Sequence, residues 1–153
     1  METKENTSER TLSITKTMPA PVQSVWEYWT KPEHIVKWWG PEGMKTNIVK
    51  HDFNIGGGWR FTVEKPDGNT FVSDGTYADI VPNKKLVTSA DFKPMTIGVV
   101  LKLLFEEDGS KTHVKLHILH PTVAYCQQQK GEGFYKGWDA AFDRLERYLT
   151  SEG

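Results

Sequence analysis

Cysteine is almost missing from this sequence: Cys126 stands alone among 153 residues, which excludes a fold braced by internal disulfides. A chain of this size buries about two-thirds of its unfolded surface and needs no such brace. A charge surplus is missing too. With 19 Lys and Arg against 20 Asp and Glu the net charge is -1, so the broad electrostatic footprint of a nucleic-acid or anionic-lipid binder is absent. No window approaches the roughly 20 apolar residues of a membrane-spanning helix. The opening METKENTSER has no apolar stretch and mixes both charge signs, so residues 1–10 are expected to be a mobile, disordered tail rather than a signal peptide or anchor, ahead of one domain over residues 11–150. Cytoplasmic location is the corresponding expectation. Aromatic residues, by contrast, are plentiful at 12%, including six tryptophans. Large flat side chains either fill a core or line a cavity, and position has to decide between the two.

From Thr11 to Met18, Leu12 and Ile14 alternate with Ser13 and Thr15, the period of a half-buried strand, and Pro19 and Pro21 end it. Pro21 suits a first helical turn. Val22, Val25, Trp26 and Trp29 then fall at i, i+3, i+4 and i+7, which predicts a helix with one apolar face as far as Pro32. A second short helix carries Ile35, Val36, Trp38 and Trp39 before Gly40-Pro41 stops it. Between about Met44 and His120 nothing has helical period. Turn signals at Pro66-Asp67-Gly68-Asn69, Val81-Pro82-Asn83-Lys84 and Glu107-Asp108-Gly109-Ser110 punctuate this stretch. They separate runs over Trp59 to Lys65, Thr70 to Val81, Leu86 to Phe92, Ile97 to Glu106 and Thr112 to His120, and six strands fit in all. The connections are too short for crossover helices, so the strands should form an antiparallel meander. Last, Phe134, Trp138, Ala141, Phe142, Leu145 and Leu149 share one face of a long amphipathic helix. The predicted class is therefore α+β: strand, two short helices, six strands, long helix, with one curved sheet covering its apolar face with the terminal helix.

Five segments in this order carry a resemblance: Ala20 to Trp26, Trp38-Trp39-Gly40-Pro41, Phe53 to Arg60, Gly75 to Pro82, and Gly137-Trp138. Together, over about residues 10 to 150, they resemble the helix-grip (START/SRPBCC) superfamily of lipid-transfer domains, birch-pollen-allergen-like proteins and polyketide cyclases. Within it they are most similar to the activator of heat shock protein 90 ATPase-like branch, of the C-terminal domain type. The resemblance implies a cavity between sheet and long helix, closed at one end by the short helices. It also implies non-enzymatic binding of a hydrophobic or aromatic small molecule, with no cofactor and no metal. Candidate lining residues are Trp26, Trp38 and Trp39 of the short helices, Trp59, Phe61, Tyr77, Leu101, Leu103 and Leu116 of the strands, and Phe134, Trp138 and Phe142 of the last helix. Arg60 and Asp74 are the candidate polar groups. The branch also suggests a chaperone-interacting or stress-response protein. Against that, the eukaryotic activators carry an additional N-terminal domain with an Asn-rich Trp-His motif, whereas about ten polar residues precede the matching part here. A polyketide cyclase-like enzyme is the third reading. A monomer or weak homodimer is expected, with neither nucleic acid nor membrane as partner.

The residues themselves leave core and cavity open. Trp59, Phe61 and Val63, then Val99, Leu101, Leu103 and Phe105, then Val114, Leu116 and Ile118 form alternate sets that any sheet packed on a helix requires. Phe71 and Tyr77 share a face with Ser73, Gly75 and Asp79, which makes that surface partly polar. Trp38 and Trp39, adjacent in one short helix, cannot both point inward, so at least one belongs at the rim or on the surface.

Other chemistry finds little support. Gly56-Gly57-Gly58 leads into a strand and not a helix N-terminus, with no Lys-Ser or Lys-Thr pair after it, so a sheet bend explains it better than a phosphate loop. His113 and His117 share a strand face but stand roughly 13 Å apart with Lys115 between them, which spoils a metal site. No Gly-x-Ser-x-Gly elbow is present, and Tyr125-Cys126-Gln127-Gln128 matches no nucleophile motif. Asp74 and Asp79 with Arg60 are the acid-base candidates, and five-residue spacing places the two aspartates on opposite faces of a regular strand.

Overall fold

The computed structural model describes residues 10–39, 44–93, 96–131 and 134–152. Residues 1–9 of the expected tail and the Gly40-Pro41 stop lie outside the described residues. In chain order the elements are β1 (Thr11–Met18), α1 (Val22–Thr30), α2 (Pro32–Trp38), β2 (Lys45–His51), β3 (Gly58–Glu64), β4 (Thr70–Val81), β5 (Lys85–Lys93), β6 (Thr96–Asp108), β7 (Lys111–Leu119), α3 (Val123–Gly131) and α4 (Phe134–Glu152). All seven strands form one antiparallel sheet in the order β1-β7-β6-β5-β4-β3-β2. Strands β2 to β7 are a meander, and β1 closes on β7.

Local chemistry accounts for the elements. Pro21 sits extended at the start of α1, and Lys31, held extended before Pro32, separates α1 from α2. Alternation sends Val114, Leu116 and Ile118 of β7 inward and Lys115 outward. Arg10, the last residue of the expected tail, is docked: its carbonyl accepts from the backbone N–H of His120 at 2.8 Å, and its guanidinium donates to the His120 carbonyl.

Helix α3 has no counterpart in the sequence reading. Only Cys126 and Gln129 of it are buried, so its sequence carries no apolar stripe for a periodicity search to find. Its start is set by the Thr122 hydroxyl, which accepts from the Tyr125 N–H at 3.0 Å as an N-cap. Tyr125 ties it to the sheet, accepting the Ile97 N–H at 2.7 Å.

The core lies between the concave face of the sheet and α1, α2 and α4. The closest approaches of α4 are to α2, α3 and β1, and Phe142, Leu145 and Leu149 form its buried stripe. Each such side chain contributes about 1.5–3 kcal/mol through removal from water. Polar contacts set its position, since Asp139 pairs with Lys16 at 2.9 Å and the Arg144 Nε donates to the Trp38 carbonyl at 3.3 Å.

Register irregularities bend the sheet at three ladders: between Ile48 and Lys50 on β2, between Tyr77 and Asp79 on β4, and between Ala90 and Phe92 where β5 meets β6. On the last of these, Gly98 takes φ +76° and donates its N–H to the Asp91 carboxylate at 2.6 Å.

Candidate functional site

The two adjacent tryptophans part company. Trp38, at the end of α2, is 1% exposed, packs edge-on against Trp29 at 4.5 Å and donates its indole N–H to the Tyr28 carbonyl at 2.8 Å. Trp39 is half-buried, and its ring lies edge-on to Phe61 at 5.4 Å and nearly parallel to Phe92 at 6.1 Å. Phe92 in turn meets Trp138 of α4 edge-on at 6.1 Å, and Trp138 reaches Phe142 at 6.3 Å. Trp39, Phe92 and Trp138 are all only partly buried, so they make a three-ring rim where the end of α2, strand β5 and helix α4 converge. The geometries are the edge-to-face and offset ones that ring quadrupoles favour.

Behind the rim lie Trp59, Phe61 and Tyr77, each at most 4% exposed. The Trp59 indole N–H donates to the Thr88 hydroxyl at 2.7 Å, a polar link buried among apolar groups. Burial pushes the Tyr77 phenol far above its usual pKa, so it is neutral. Phe53 packs edge-on against Tyr77 at 5.0 Å, and Trp26 lies between Phe53 at 6.2 Å and Phe105 at 5.2 Å.

The glycine run holds this wall in place. Gly56 donates to the Tyr77 carbonyl at 2.8 Å and the Tyr77 N–H donates to the Gly57 carbonyl at 2.9 Å, so the loop clasps the backbone of β4. A Cβ on Gly57 would stand 2.2 Å from the Asp52 carbonyl oxygen, and Gly56 takes φ +87°. These glycines serve the bend, as the sequence context implies.

Of the other candidates, Leu101, Leu103 and Leu116 are fully buried on the inner face of β6 and β7, and Trp26 and Phe142 are buried with them in the same core. Phe134 opens α4, but its side chain lies outside the described residues. Arg60 and Asp74 require correction as polar groups of an interior. Arg60 alternates with the inward Trp59 and Phe61, so it faces the outer side of the sheet, where it pairs with Asp74 across the β3–β4 ladder at 3.4 Å. Asp79 is outward as well. The extra residue Ala78 turns it away from the face of Tyr77, and it pairs with Lys85 at 2.9 Å, while Ile80 takes the inward position opposite Leu86. Asp74 and Asp79 thus share the outer face, against the alternation of a regular strand. The acid-base set of the cyclase reading is therefore outside the interior.

His113 and His117 also stand on the outer side, bonded to Thr17 at 2.9 Å and Ser13 at 2.8 Å. Among the described residues no cluster of His, Cys, Asp or Glu is placed to hold a metal ion. The sequence reading did not single out Phe92 or His51 for the site. For His51 the signal was hidden by the β2 bulge, because simple alternation from Thr46 and Ile48 points His51 outward.

A curved, open antiparallel sheet wrapped on a C-terminal helix, with two short helices after the first strand, is the helix-grip architecture of the SRPBCC superfamily. Within that class the chain belongs to the family described as activator of Hsp90 ATPase homolog 1-like protein, whose model matches residues 19–150. No curated protein matches it. Among solved structures it is similar to a protein from Mycobacterium smegmatis at 21% identity and TM-score 0.84, covering 100% of this chain and 99% of that one. It is similar also to a protein from Arthrobacter aurescens at 19% identity and TM-score 0.86, covering 97% and 90%. An AHSA1-like protein from Aeromonas hydrophila matches at 22% identity and TM-score 0.77, covering 94% of each chain. At these identities the likeness is one of fold. Among the described residues no helix is long and apolar enough to cross a membrane.

Proposed function

We propose that the protein binds a hydrophobic or aromatic small molecule, without catalysis, between the sheet and α4, and that the ligand enters past Trp39, Phe92 and Trp138. The observation that carries this reading is the rim itself. Three contiguous rings left half-buried at the junction of α2, β5 and α4 are an apolar surface that a packed core alone would have covered. Inside the rim the inventory suits recognition of a small molecule, with aromatic walls and a few polar groups such as the Trp59–Thr88 pair and the neutral Tyr77. Adding a ligand ring to such a wall extends the edge-to-face pattern already present.

A panel of lipids, flavonoids and polyketides, titrated while tryptophan emission and melting temperature are followed, tests the proposal. At least one class should quench or shift emission and raise the melting temperature in proportion to the logarithm of its concentration. A panel that moves neither observable removes the proposal.

A further inference from the structure

Strand β2 has one residue more than the strand opposite it. Ile48 pairs with Phe61 and Lys50 pairs with Arg60, so Val49 is the extra residue, and it is exposed. In a regular strand Thr46, Ile48 and Lys50 would face inward together and His51 outward. The bulge reverses the last two: Lys50 turns out with Arg60, and His51 turns in opposite Trp59. A polar, titratable ring is thereby placed in the aromatic wall. The His51 imidazole stacks on Phe53 with planes 8° apart and centroids at 5.7 Å, meets Tyr77 edge-on at 5.9 Å, and lies 6.2 Å from Phe61. Its Nε2 is buried and has no hydrogen-bond partner among the described residues. A buried nitrogen left unpaired is costly, and native structures keep few of them without a use.

The surroundings define what this nitrogen suits. Burial lowers the His51 pKa against the opposite pull of Asp52 and Glu33, which keeps the imidazole neutral. The charges that act on the ring, Asp52 and Glu33, are both acidic and disfavour an anionic ligand group, while Arg60 of the adjoining strand faces the other side of the sheet, paired with Asp74. A neutral imidazole presents one donor and one acceptor nitrogen. A hydroxyl is complementary to Nε2 in either role.

Resting on the small-molecule reading above, we infer that His51 Nε2 is the polar anchor of the site and selects flat aromatic ligands bearing a neutral hydroxyl, with the ligand ring against Phe53, Phe61 and Tyr77. A matched pair of probes tests it: 2-naphthol and 2-methylnaphthalene, which differ by a hydroxyl in place of a methyl on the same ring system. Calorimetric titration of the full chain should give about tenfold tighter binding of 2-naphthol, the worth of one buried hydrogen bond. His51→Phe keeps a ring to stack on Phe53 but offers the hydroxyl no partner, so the preference for 2-naphthol should be lost or reversed. In the wild-type protein, 2-naphthol should shift the His51 Nε2 resonance far more than 2-methylnaphthalene, whose ring current alone acts on it, a readout that stands even where the variant fails to fold. Equal affinities in the wild type, a preference retained in His51→Phe, or an unmoved Nε2 resonance overturns the His51 assignment and leaves the small-molecule reading in place. Binding of neither probe overturns the assignment together with its aromatic ligand class, and the wider panel then decides the broader reading separately.

Discussion

Thr88 is the residue whose removal would be felt most directly inside the wall, because its hydroxyl is the acceptor for the buried Trp59 indole N–H. Thr88→Val keeps the shape and strips that acceptor, so a loss of about 1–3 kcal/mol is expected. Urea unfolding should show a lower midpoint at unchanged slope, while Thr88→Ser stays nearer the wild type. The histidines set the response to pH. Burial lowers the pKa values of His51, His117 and His120, with the positive charges of Lys102 and Lys115 adding to the effect at His117. Each therefore takes up protons more readily unfolded than folded. Stability contributed by the neutral rings is intact above the ordinary histidine value of 6.5 and is lost as pH falls through 6.5 toward the folded-state values. Urea midpoints measured across that interval should decline with acidification, and His51→Phe should flatten the decline. Alternation alone locates Trp59, Phe61 and Leu116 on the inner face, and by the same rule it puts Arg60 and Asp74 outside. It misplaces His51 and Asp79, since a single extra residue inverts the face of everything that follows until the next irregularity.

At the scale of elements, close backbone approach is the quantity that composition conceals. Gly75, in the middle of β4, faces the Ser89 carbonyl of β5, and a Cβ there would stand 1.9 Å from that oxygen and 3.0 Å from the Trp59 ring. Gly75→Ala forces the ladder apart beside the Tyr77 bulge and should cost about 1–3 kcal/mol in urea unfolding. Gly131→Ala, at the end of α3 with nothing within 4 Å of the added carbon, is the tolerated comparison. The β1 and β4 boundaries coincide with those read from alternation and turn chemistry, over Thr11–Met18 and Thr70–Val81. Their ends are marked by prolines, glycines and turn residues. Helix α3 escaped because its hold on the fold comes from a Thr122 cap and the Tyr125 hydroxyl, neither of which produces a periodic apolar pattern.

For the molecule as a whole, the tryptophans divide the interior from its mouth. Trp26, Trp29, Trp38 and Trp59 are buried in the core, whereas Trp39 and Trp138 remain half-buried on either side of Phe92. The proposed entry route makes a specific demand of the ligand titration: Trp39→Ala should weaken binding by about tenfold, the worth of one aromatic contact, and should also lower the melting temperature without ligand, because the ring packs on Phe61 and Phe92. The order of elements and the need to cover one sheet face were legible in hydrophobic periodicity. The rim was not, because half-burial of Phe92 depends on where α4 comes to rest and leaves no trace in the pattern of its own strand. The open sheet has a further property. Strand β2 is an outer strand, and an outer strand normally offers its unpaired backbone as a template for another chain. Here Val49 breaks the straight run, and Lys45 and Lys50 flank it with like charge. The irregularity that turns His51 inward thus also spoils this margin for strand-to-strand aggregation, so recognition and solubility depend on the same inserted residue.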